Sequence, residues 1–140
     1  MAYSFRPYSL DQAYLLPQAP RDWLPQEHLA IFLHETVSIL DLSPILERYQ
    51  GGRGPQGYHP QMLLTLLLYG YCTGVYSSRK IAGRCEMDIA FRVLSGGQFP
   101  DFRTLSDFRK EHLQAFETLF LDVLRLSREA GLVKLGHLSL

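Results

Sequence analysis

The chain reads as mainly α-helical: a multi-helical bundle with a helix-turn-helix-like unit and a C-terminal apolar strand. Three observations point there. Apolar residues recur at helical spacing over most of the length, capping residues and glycines punctuate those stretches, and strand-like residues gather in the closing segment. With 140 residues, 46% hydrophobic and 20% charged, there is enough apolar mass for one soluble domain with a core.

The first 25 residues, MAYSFRPYSLDQAYLLPQAPRDWLP, hold four prolines and scattered aromatics, which suits an arm over 1–25 that packs locally. Residues 26–131 then read as the helical domain. Pro25 marks a helix start, and Leu29, Phe32, Leu33, Thr36, Val37 and Leu40 follow helical spacing. Ser43 and Pro44, a cap followed by proline at the first helical position, open a short helix through Tyr49. QGGRGPQGYHP is a loop. Pro60 begins a helix that runs to Thr73 and stops at Gly74. Its apolar residues lie all round, so it is expected to be the buried central pillar.

Ser77 or Ser78 caps the next helix, SRKIAGRCE. At 100° per residue Ile81, Cys85, Ala82 and Ser78 share one side, Lys80 and Arg84 fall nearly opposite, and Arg79 sits on the shoulder. Asp88 caps a further short helix, IAFRVLS, closed by Gly96 and Gly97. Two short helices joined by a tight turn make the helix-turn-helix-like unit.

The triplet Asp-Phe-Arg occurs twice, at 101–103 and 107–109. Thr104 and Asp107 form a capping-box-like start, which predicts one long helix from after Thr104 to Ala130, ended by Gly131. The first triplet then precedes the helix and the second lies in its first turns. Leu105, Phe108, His112, Leu113, Phe116, Leu119, Phe120 and Val123 define its core face, whereas Leu121 falls on the polar face. Arg109 projects into the core face and is expected to meet a carboxylate, Asp101 or Asp88, because a bare buried guanidinium costs several kcal/mol. The ending GLVKLGHLSL, with Val133, Leu135, Leu138 and Leu140, reads as a strand over 132–140.

Composition excludes a global basic field, since 14 basic and 14 acidic residues cancel. The distribution is uneven: residues 51–110 carry 8 basic and 4 acidic side chains between acidic flanks, which permits a local anion-binding surface. No P-loop or dinucleotide fingerprint occurs. Cys72, Cys85, His59 and His112 lack the paired spacings of zinc sites, and the carboxylates do not converge, so no catalytic residue, metal site or cofactor is assigned. The apolar run Met62–Cys72 is about half a membrane span, and no signal segment is present, so a cytoplasmic location is expected.

The order of LDLSPILERYQGGRGPQGYHPQMLLTLLLYGYCTGVYSSRKIA, PDFRTLSDFRKEH and REAGLVKLGHLSL resembles the N-terminal region of bacterial insertion-sequence transposases of the DDE class, over residues 40–140. The resemblance implies that the terminal strand starts an RNase H-like catalytic domain, whose three carboxylates, and the magnesium they would hold, belong beyond this sequence. It also implies binding of double-stranded DNA at terminal inverted repeats, and assembly as a homo-oligomer or with the protein's own catalytic domain. Ser77, Ser78, Arg79 and Lys80 match the family's Ser-Ser-Arg-Lys stretch. With Arg84 they are the candidate DNA-binding residues. A protein-interaction module without independent DNA binding is the alternative, favoured by the neutral charge and by Leu121.

Overall fold

The computed structural model describes residues 4, 5, 7, 9–11, 19–47 and 57–131. Within them run a 3-10 helix, Pro20–Trp23, and helices α1 (Leu29–Ile39), α2 (Ser43–Leu46), α3 (Pro60–Thr73), α4 (Ser78–Met87), α5 (Ile89–Leu94), α6 (Phe102–Glu111) and α7 (Leu113–Glu129). The expected strand at 132–140, about half of the arm and most of the glycine-rich loop lie outside the described residues. So does the proposed extension of the short helix to Tyr49.

The apolar circumference of α3 has the consequence that composition demands. Every residue from Leu63 to Gly70 is buried, and α3 touches α1, α4, α5, α6 and α7. The two threonines on this pillar are satisfied locally: Thr65 Oγ1 donates to the Gln61 carbonyl at 2.7 Å and Thr73 Oγ1 to the Tyr69 carbonyl at 2.7 Å. At its C-terminal end Tyr71 meets Phe116 and Phe120 of α7, with ring centroids 5.2 and 5.4 Å away. Gly74 ends the helix in the left-handed conformation, φ 82°. No helix among the described residues is long and apolar enough to cross a membrane.

Histidine caps two helices, and at the first of them the start differs from expectation. α1 begins at Leu29, not at Pro25: the Pro25 carbonyl accepts from His28 N at 3.0 Å in a turn, and His28 Nδ1 accepts from Ala30 N at 3.0 Å. His59 Nδ1 likewise accepts from Gln61 N at 3.1 Å and opens α3. Ring nitrogens can do this only as the acceptor of a neutral imidazole.

The long helix expected from Thr104 to Ala130 is two helices, and its start is earlier. Asp101, extended at φ −66° and ψ 147°, caps α6 by accepting from Arg103 N at 3.3 Å, so the first Asp-Phe-Arg supplies the cap and opening residues. Thr104 sits inside the first turn and caps nothing. At His112 the backbone leaves helical values, φ −115° and ψ 26°, and α7 begins beyond it. The offset keeps His112, Phe116 and Val123 buried but turns Leu113 outward, 49% exposed, against its expected core position. Asp101→Ala is therefore expected to lower stability by about 1 kcal/mol, with Thr104→Ala costing under about 0.5 kcal/mol. Comparison of urea midpoints checks this ranking, and the reverse order would restore Thr104 as the cap.

Arg109 also differs. It is only half-buried, and its Nη1 donates to the Tyr76 carbonyl at 2.9 Å where a carboxylate was expected. A backbone oxygen answers the guanidinium because α6 packs against the segment leading into α4. The second Asp-Phe-Arg is thus architectural: Phe108 is buried and Arg109 ties down the start of α4.

Candidate nucleic-acid interface

The helix with the clearest division of labour is α4. Ser77 Oγ accepts from Lys80 N at 3.4 Å and starts it, and Asp88 begins α5 immediately after it, accepting from Ala90 N and Phe91 N at 2.9 and 3.3 Å. One residue therefore separates two helices, which forces a sharp change of direction and lays α4 beside α5. Ile81 and Cys85 are fully buried, while Arg79, Lys80 and Arg84 are exposed. Face assignment from 100° spacing is borne out at these positions.

The five sequence candidates do not share one environment. Ser77 is exposed and its hydroxyl is engaged as the cap. Ser78 turns inward: it is buried, and its Oγ has no hydrogen-bond partner among the described residues, so it does not stand on the exposed face with the cations. Arg84 Nη1 lies 3.9 Å from Asp88 Oδ2, an i,i+4 pair in which both side chains are partly solvated. Such a pair is weak and leaves most of the charge available to another anion. Arg79 stacks its guanidinium 3.8 Å from the centroid of Phe102, bringing the start of α6 beside α4. Lys80 is exposed and makes no ion pair among the described residues.

Sequence spacing missed the aromatic partners. Phe102 receives Arg79 and Arg103, and Phe99 receives Arg92 at 5.7 Å. Their signal was the interleaving of phenylalanine with arginine through FRVLSGGQFPDFR, but which arginine meets which ring is a tertiary fact. Also on the outer face of α4 is Gly83, where an added Cβ would meet nothing within 4 Å. An interior helical glycine costs about 1 kcal/mol relative to alanine, and packing gives no reason for this one.

Burial pushes the thiols of Cys72 and Cys85 up to about 11, so both stay protonated and unreactive near neutral pH. Among the described residues no three of His, Cys, Asp and Glu gather where a metal could sit. Those residues therefore offer no ligand set for the magnesium that the resemblance implies.

A second feature lies at the α6–α7 break. A groove of about 620 Å³ opens between α2 and the junction, lined by Leu42, Pro44, Ile45, Leu113, Ala115 and Leu119 with Asp41, Lys110 and Glu111 among its polar residues.

Residues 18–111 match the family model described as Transposase domain (DUF772). No curated protein and no solved structure matches the chain.

Proposed function

The chain belongs to this transposase-domain family, and from that premise we propose that it is the DNA-recognition and assembly region of a transposase, binding terminal inverted repeats during transposition. The observation that carries the reading is the exposed Arg79, Lys80 and Arg84 set over the buried Ile81 and Cys85 of α4. A helix anchored on one side by its core can offer cations to phosphates without rearranging. The α4–α5 pair serves as the helix-turn-helix-like unit, and the bare Gly83 lets a DNA backbone come close to the helix. Ser77 contributes by fixing where α4 begins. Arg84 is poised to exchange its weak Asp88 contact for a phosphate.

Neutral net charge limits the attraction to this local surface, so affinity is expected to be modest and to fall steeply with salt. A protein-interaction role is the second reading. It is favoured by the groove at the α6–α7 break and by the exposed Leu113 and Leu121, 49% and 64% accessible.

The test is a salt titration of duplex binding. Replacing Arg79, Lys80 and Arg84 together by alanine is expected to cost at most about 1 kcal/mol of stability, since exposed charges contribute little and the Arg79–Phe102 contact is an exposed cation–π pair. The slope of log affinity against log salt should become shallower by roughly one unit for each phosphate contact removed. Duplexes carrying the element's ends and scrambled duplexes separate specific from general binding. Equal slopes for both proteins, or no binding by either, would transfer the surface to the interaction reading.

A further inference from the structure

Two arginines from different helices meet one aromatic ring where α6 begins. The guanidinium carbon of Arg79 on α4 is 3.8 Å from the Phe102 ring centroid, and that of Arg103 on α6 is 5.7 Å from the same centroid. Phe102 is half-buried, while both arginines are exposed. The ion pairs among the described residues are Arg21–Glu35, Arg84–Asp88 and Arg125–Asp122, so neither arginine at this ring meets a carboxylate. Like charges gathered without a counter-ion repel one another. The nearby Asp101 carboxylate is occupied in capping, accepting from the Arg103 backbone N–H at 3.3 Å.

Stacking on a ring restrains a guanidinium through its flat face and leaves its in-plane N–H donors free. Those donors match the spacing of two phosphate oxygens. A side chain already held in place also loses less entropy when it binds. A solvated arginine has the charge without the restraint.

We infer that Phe102 is a positioning residue that holds Arg79, and that Arg103 is a further contact, so that α4 and the first turn of α6 clamp a phosphodiester of duplex DNA between them. The clamp rests on the DNA-binding reading of α4 and extends it to a second helix. It also gives the first Asp-Phe-Arg a job that the second lacks. Asp101 sets the first turn, Phe102 restrains a cation from α4, and Arg103 adds its own.

The full chain is titrated with a short labelled duplex of random sequence, because backbone contacts do not depend on sequence. Phe102→Leu removes the ring but no charge. It is expected to weaken binding about threefold to fivefold, the worth of an exposed cation–π contact, without changing the salt slope. Phe102→Tyr keeps the ring and should bind like the wild type. Arg103→Ala should make the salt slope shallower by about one unit. If Phe102→Tyr restores melting temperature but not affinity, the ring is merely structural and the clamp is wrong. If all three variants bind as the wild type while the Arg79/Lys80/Arg84 variant still loses affinity, the clamp fails and the α4 reading stands. If that variant also binds as the wild type, or the wild type does not bind, the α4 reading itself has failed and the clamp goes with it.

Discussion

Gly70→Ala is expected to destabilise the domain by about 3 kcal/mol, although alanine is the better helix former by about 1 kcal/mol. The two effects oppose each other, and geometry decides between them. A Cβ at Gly70 would stand 2.5 Å from the Val75 carbonyl oxygen and 2.9 Å from Ile81 Cδ1. A side-chain methyl can yield by rotating, but the Val75 carbonyl is backbone. Its position is fixed by the turn in which Val75 N donates to the Gly70 carbonyl at 2.7 Å and Gly74 holds a positive φ of 82°. Relief would require α4 to move away from α3, opening the contact made by the fully buried Ile81. Gly83 is the matched control. Nothing lies within 4 Å of its Cβ position, so Gly83→Ala should raise stability by up to about 1 kcal/mol. Chemical denaturation of both variants reads the difference. A Gly70→Ala protein as stable as the wild type would show that the turn yields cheaply and that close packing at Gly70 is dispensable.

How much of this was legible depends on whether the deciding signal is local. α3 was bounded by Pro60 and Gly74, and α4 and α5 by Ser77, Asp88 and the Gly96-Gly97 pair, all of which act within a few residues. The start of α6 was misread because two acceptable caps, Asp101 and Thr104, lie in the same short stretch. Beginning at Asp101 places Phe102 against Arg79, a contact that local spacing cannot weigh. The break at His112 carries no glycine or proline to announce it, and the carbonyl partner of Arg109 comes from the segment before α4. The cationic face of α4 was legible because helical periodicity alone separates Arg79, Lys80 and Arg84 from Ile81 and Cys85. Ser78 shows the limit of motif matching: its neighbours are exposed, yet its own azimuth carries it inward. The aromatic ring that organises Arg79 could not be found from α4 alone.

Phe91→Ala is expected to cost about 3–5 kcal/mol, the usual range for deleting a buried aromatic. Phe91 is 2% exposed on the six-residue α5, a helix too short to persist without tertiary packing. Its ring meets Tyr69 of α3 edge-on with centroids 4.9 Å apart, a preferred geometry that adds to area burial. The same corner holds Asp88, which caps α5 through the Phe91 N–H. Burial first, and then the Asp88 charge, pushes the Tyr69 hydroxyl up to about 12, so that ring stays neutral beside its partner. Loss of the Phe91 side chain would leave a cavity against the pillar and loosen the helix that follows α4. Phe91→Leu, which keeps most of the volume, should recover most of the loss. A double-mutant cycle with Tyr69→Leu isolates the ring–ring contact, expected at about 0.5–1.5 kcal/mol. Duplex binding should fall in Phe91→Ala only as its folded fraction falls, since Phe91 is buried against Tyr69 of α3 while the cations of α4 face solvent. Affinity that drops well below the wild type at a temperature where circular dichroism shows the variant fully folded would mean that α5 itself carries DNA contacts.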